Sequence, residues 1–159
     1  MPSILFICTA NQFRSPLAAA YLSRLIAQED ATRAWKIESA GTWATDGSRA
    51  PAMTEETARS LGLPGLQGHL TRQVDRELLA QFDLVIVMEQ GHKEALCAEF
   101  PAACRKISLL AEIVDGVPYD IPDPGKGQAA PAETGSILAD LLRRGKEKIL
   151  ASAESLSKE

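Results

Sequence analysis

Ser3-Ile4-Leu5-Phe6-Ile7-Cys8-Thr9-Ala10-Asn11-Gln12-Phe13-Arg14-Ser15-Pro16-Leu17 is the stretch on which the reading of the fold turns. Ser3–Cys8 is a short, almost wholly apolar run without polar alternation, the mark of a strand buried on both faces. Ser15 and Pro16 are helix-start signals, and Leu17, Tyr21, Leu22, Leu25 and Ile26 then recur at helical spacing. A buried strand followed by a short loop and a helix begins a βαβ unit. In parallel sheets built from such units, ligands lie beyond the C-terminal ends of the strands. The loop after Cys8 is therefore the first place to look for chemistry.

The rest of the chain keeps the alternation. Trp35–Ser39 is a weaker strand, cut off by Ala40-Gly41, and Pro51–Leu61 is a helix with Thr54 as candidate cap and Gly62 at its stop. Thr71–Gln81 carries Val74, Leu78 and Leu79, the pattern of a short amphipathic helix. Leu84–Met88 is the strongest buried-strand signal. A helix over His92–Phe100 is closed by Pro101, and Lys106–Leu109 is the fourth strand. Asp115–Pro131 is the least regular segment. Ile137, Leu138, Leu141, Leu142, Ile149 and Ala153 then trace one face of a long helix, interrupted by Gly145. No repeat or linker divides residues 1–159, so the expectation is one α/β domain: a four-stranded parallel sheet with helices on both faces, in three layers.

Composition narrows the function. A chain of 159 residues can bury a real core without staples, and its formal net charge of −4 offers no global positive field to nucleic acid or acidic membrane. No apolar run approaches the roughly 20 residues of a membrane span. Asn11 and Arg14 end the first apolar run too early for a signal peptide. Three cysteines are an odd number, which favours a reducing compartment and a cytoplasmic address. Two histidines and no Cys-x2-Cys spacing disfavour zinc, so no metal or other cofactor is expected. Whatever is bound must be held by a local site.

That site is legible in the loop. The residues between Cys8 and Arg14 can curl so that the N–H groups of Thr9, Ala10, Asn11, Gln12 and Phe13 point into one anion nest, with the positive helix end beside it. The planar fork of Arg14 matches two phosphate oxygens. The same field favours the thiolate of Cys8, and Ser15 Oγ–H can donate to that sulfur. The bland alternative is a buried strand-end cysteine, which Cys8 alone would suggest. Its place before an Arg-Ser-Pro helix start argues for a nucleophile beside an oxyanion cradle.

These residues resemble the low-molecular-weight protein tyrosine phosphatase family, whose Cys-x5-Arg-Ser signature is matched by Cys8, Arg14 and Ser15, with the family's loop asparagine at Asn11. The resemblance continues through Glu38–Thr42, Gly68-His69 with Arg72-Gln73, Asp83–Met88 and Ile121-Pro122-Asp123-Pro124, nearly the whole chain. It implies strand order 2-1-3-4 and a protein phosphatase working through a phosphocysteine. Asp123 matches the family's general acid, with Asp120 as backup, although Asp and Pro are also ordinary turn residues. Ser39 and His69 match the serine and histidine that hold the loop asparagine in a strained conformation. The expected partner is a phosphorylated protein or small phosphomonoester, with no nucleic acid and no membrane.

The sequence also departs from the family. Members that prefer phosphotyrosine usually carry two aromatic residues after the Asp-Pro pair, whereas here Gly125 and Lys126 follow. Trp43 is either near the site mouth or an ordinary packed tryptophan. Phe13 stands where some members have a second cysteine. Cys97 and Cys104 are expected to be two packed cysteines rather than a redox relay, and His92 a surface residue. Two alternatives stay open: a thiol-coupled arsenate reductase of related fold and a non-catalytic phosphate-binding module.

Overall fold

A computed structural model describes residues 1–159. The strands β1 (Ser3–Cys8), β2 (Lys36–Gly41), β3 (Leu84–Val87) and β4 (Ile107–Leu109) form one parallel sheet in the order β2-β1-β3-β4, as expected. Strand β1 is internal: Ser3 lies opposite Lys36 and Cys8 opposite Gly41 on one side, with Ile4–Ile7 opposite Leu84–Val87 on the other. All its residues are buried.

The pleat divides the core between the two faces of the sheet. Ile4, Phe6 and Cys8 pack with Leu17 and Leu22 of α1 (Arg14–Glu29), Ala58 of α2 (Ala52–Ser60) and Leu138, Leu142 and Ile149 of α6 (Pro131–Ser157). Leu5 and Ile7 pack with Leu78 and Leu79 of α3 (Arg76–Ala80) and Leu96 of α4 (Gln90–Glu99). The short α5 (Leu110–Asp115) sends Leu110 and Val114 to the first core and Ala111 to the second. Each buried leucine or isoleucine contributes about 1.5–3 kcal/mol, so both faces of β1 are strongly determined.

Four local expectations are corrected. Only Arg76–Ala80 of Thr71–Gln81 is helical, started by the Asp75 carboxylate accepting the Leu78 N–H at 2.8 Å. The residues before it extend the edge of β2: Gly41 N–H donates to Arg72 C=O and Val74 N–H to Gly41 C=O, both at 2.9 Å. Helix α6 runs through Gly145 unbroken, and the glycine is there for packing, since Val114 occupies the place where a Cβ would stand. Thr54 does not cap α2; its buried hydroxyl donates to Gln12 C=O at 2.6 Å.

The fourth correction concerns Cys97 and Cys104, which form a disulfide with Cα atoms 4.7 Å apart. Pro101 cannot continue α4, and the 3-10 turn Pro101–Lys106 folds back so that Cys104 meets the end of that helix. Cys8 is the free thiol. The odd count is thus one pair plus one thiol, and it ceases to argue for a reducing compartment. No helix is long and apolar enough to cross a membrane.

Candidate active site

The C-terminal end of β1 delivers Cys8 to a loop that closes at once into α1. The end of β2 makes that closure possible. Thr42 and Trp43 N–H groups donate to the Cys8 and Thr9 carbonyls at 2.9 Å each. A Cβ on Gly41 would overlap the Thr9 carbonyl oxygen and stand 3.0 Å from Asn11 N. Trp43 itself is 84% exposed, so it is not an ordinary packed tryptophan.

Asn11 is the turning point. It is the one non-glycine residue with positive φ, at 59°, a region that costs most residues about 1–3 kcal/mol. Its fully buried amide offsets that cost. Nδ2 donates to Ser15 Oγ at 2.9 Å and Ser39 Oγ at 3.0 Å, while Oδ1 accepts the Arg72 N–H at 3.0 Å. His69 Nε2 lies 2.8 Å from the Asn11 carbonyl oxygen and donates to it. Ser39 and His69 therefore stand where the resemblance placed them.

Ser15 connects this network to Cys8. Its Oγ accepts from Asn11 and lies 3.0 Å from Cys8 Sγ and 3.2 Å from the Ala40 carbonyl oxygen. The hydroxyl has one hydrogen for two acceptors. Beside a thiolate it turns to sulfur, and beside a thiol it can remain on Ala40.

Arg14 is 1% exposed, so its charge must be compensated inside the protein. Nη1 donates to Glu89 Oε2 at 2.6 Å and to the Ile121 carbonyl at 2.8 Å. Nη2 has only longer bonds, 3.3 Å to Asp123 Oδ2 and 3.4 Å to Thr9 Oγ1, and Nε has no protein partner. The Nε–Nη2 edge is the side left for an oxyanion. Asp123 is held from its own segment, since its Oδ1 accepts the Gly125 N–H at 2.9 Å and its N–H donates to Gln128 Oε1 at 2.8 Å. Asp120 points elsewhere, accepting the Gln90 N–H at 2.8 Å.

A cavity of about 180 Å³ brings these groups together, lined by Cys8, Thr9, Ala10, Gln12, Phe13, Arg14, Met53, Asp123, Gly125 and Lys126. A larger concavity of about 420 Å³ between α1, β2 and Gly68–Arg72 contains no nucleophile and backs onto Ser39 and His69. The smaller one gathers the thiol, the arginine and the Asp123 carboxylate. No group of three His, Cys, Asp or Glu side chains is placed to hold a metal.

Glu89 and His92 belong to the site without having been singled out in the sequence, and His92 corrects the surface assignment. It is 6% exposed, with Nε2 2.9 Å from Thr9 Oγ1 and Nδ1 accepting the Glu89 N–H at 3.1 Å. Glu89 accepts the His92 N–H in return, a reciprocal cap at the start of α4. Burial holds His92 well below an ordinary histidine, at about 4, against the opposing pull of Glu89. The spacing Glu89-x-x-His92 directly after a buried strand was the available signal.

Comparison with known proteins agrees with this geometry. Residues 3–159 match the family model described as low molecular weight phosphotyrosine protein phosphatase. A putative low-molecular-weight protein-tyrosine-phosphatase of Klebsiella pneumoniae is 36% identical over 122 residues, covering 77% of this chain and 78% of its own. A protein-arginine-phosphatase of Geobacillus stearothermophilus is 33% identical over 124 residues, covering 78% and 79%. Among solved structures, the YwlE arginine phosphatase from Geobacillus stearothermophilus superposes with TM-score 0.84 at 30% identity, covering 100% of this chain and 98% of that one. The tyrosine phosphatase Wzb from Escherichia coli K30 in complex with sulphate gives 0.80 at 33%, covering 92% and 97%. The chain belongs to the low-molecular-weight phosphotyrosine protein phosphatase family.

Proposed function

We propose that the protein is a cysteine-dependent phosphomonoesterase acting on phosphorylated protein, with Cys8 as nucleophile, Arg14 and the loop N–H groups as phosphoryl cradle, and Asp123 as acid and base. The observation that carries this reading is the convergence of Cys8, Arg14 and Asp123 on one small cavity. In the first step the Cys8 thiolate attacks phosphorus, the ester P–O bond breaks, and Asp123 gives its proton to the leaving oxygen. In the second, Asp123 takes a proton from water, the water oxygen bonds to phosphorus, and the S–P bond breaks. Ser15 Oγ–H stabilises the departing thiolate. Positioned donors carry most of the rate enhancement, as in phosphoryl transfer generally.

Placement supports the acid role. Asp123 lines the cavity that holds Cys8 and its Oδ2 lies 3.3 Å from Arg14 Nη2, on the side where a leaving oxygen would stand. Replacing Cys8 by Ser should lower aryl phosphate hydrolysis by a factor on the order of 10⁴ or more while inorganic phosphate still binds. Undiminished turnover would sink the reading.

Substrate selectivity is a finer matter. Phe13 is the one aromatic residue lining the cavity and is almost fully buried in the core, while the other walls are Gln12, Met53, Gly125 and Lys126, so no exposed pair of rings is there to stack on a phenyl group. That favours a second reading in which a non-aromatic phosphoramidate such as phosphoarginine competes with phosphotyrosine. The Lys126 ammonium opposes it by repelling a guanidinium. The ratio of kcat/KM on phosphotyrosine and phosphoarginine peptides decides between them.

A further inference from the structure

Thr9 Oγ1 lies 2.9 Å from His92 Nε2 and 3.4 Å from Arg14 Nη2. Arg14 can only donate. The tautomer of His92 is set at its other nitrogen: Nδ1 faces the Glu89 backbone N–H, itself a donor, so Nδ1 is the acceptor. The ring hydrogen of the neutral imidazole is therefore on Nε2 and donates to Thr9. Both lone pairs of the Thr9 oxygen are then taken by donors. Its own hydrogen has no protein acceptor, and Thr9 lines the cavity that Cys8 and Asp123 share.

We propose that the Thr9 hydroxyl is a phosphoryl-binding donor of this active site, and that His92 is its positioning residue, turning the hydrogen toward a bound phosphoryl oxygen. The inference rests on the phosphomonoesterase reading and adds a side-chain donor to the backbone nest. His92 acts through Thr9 and touches no substrate. The charged groups around the imidazole are Glu89, Arg14, Asp120 and Lys126, and burial outweighs them in keeping it neutral. A neutral ring orients Thr9 without adding charge to a site where Glu89 already compensates Arg14. The anchor at Glu89 N also ties the hydroxyl to the residue that holds Arg14.

Four variants test this. Thr9→Val removes the hydroxyl at constant shape and should weaken inorganic phosphate binding and lower kcat/KM for an aryl phosphate by about tenfold. Thr9→Ser should restore both. His92→Asn keeps an acceptor for the Glu89 N–H but cannot reach Thr9, so it should show the Thr9→Val loss. His92→Gln places an amide donor near the former Nε2 and should recover most of it. In the Thr9→Val background, His92→Asn should cost nothing further, whereas a purely structural histidine would give an additive loss and a lower Tm.

Phosphate binding is measured by calorimetry on every variant, separately from turnover. Thr9→Val binding phosphate like the wild type overturns the inference even if the enzyme is fully active. Wild-type protein without phosphatase turnover overturns the functional reading, while the same binding series still decides the role of Thr9.

Discussion

Between Cys8 and Ser15 the polar groups are bonded inward to distant parts of the chain: Asn11 to Ser39, His69 and Arg72, and Thr9 to His92. Between Ile121 and Gln128 the two ends differ: Ile121 is bonded to Met88 and Arg14, whereas Asp123 is tied locally to Gly125 and Gln128 and has one longer contact with Arg14. The loop after Cys8 is determined by the whole fold, whereas the stretch from Asp123 to Gln128, the proposed acid loop, is largely determined by its own turn. A phosphoryl group is the same in every monoester and needs a fixed receptor. A leaving group differs from substrate to substrate, and in the proposed mechanism it meets Asp123, which is held mostly by its own turn.

The sharpest way to break this contrast is Arg14→Lys. It keeps the charge but loses the fork to Glu89 and Ile121, and kcat/KM should fall by about 10²–10³ on every substrate alike. A loss that depends on the leaving group would contradict the division of labour. Asp123→Asn should show that dependence: kcat drops by about 10² for an alkyl phosphate and much less for p-nitrophenyl phosphate, whose oxygen needs little protonation. Asn11→Ala tests the cradle as structure, and denaturant unfolding should show about 2 kcal/mol lost, since positive φ would then persist without its amide bonds. The smallest effect belongs to Lys126→Ala on the exposed acid loop. Stability should stay within about 0.5 kcal/mol, with KM changing mainly for peptides carrying further charge.

The contrast also explains what was legible from sequence. The strand Ser3–Cys8, the loop and the start of α1 could be read because each depends on adjacent residues: a continuous apolar run, a proline and a helical period. The signature residues and the resemblance placed Asn11, Ser39 and His69 correctly for the same chain geometry. His92 escaped because its neighbours Lys93 and Glu94 look like an exposed helix, and its burial depends on Thr9, 83 positions away. Thr71–Val74 was misread because pairing with Gly41 outweighs local helical preference. The Cys97–Cys104 pair depends on how a 3-10 turn folds back, which spacing alone does not reveal.

The pleat of β1 has a consequence for handling this protein. Cys8 belongs to the core on one side of the sheet, while Cys97 packs against the core on the other. The sheet thus stands between an oxidised pair and a sulfur that, in the proposed mechanism, must stay reduced to react. A strong reductant added to protect Cys8 also attacks the clasp at the far end of α4, the helix whose first turn carries His92 and is entered from Glu89. Activity titrated against reductant should therefore differ between the wild type and Cys97→Ser if the clasp supports the His92 end of α4; identical curves would show that it does not.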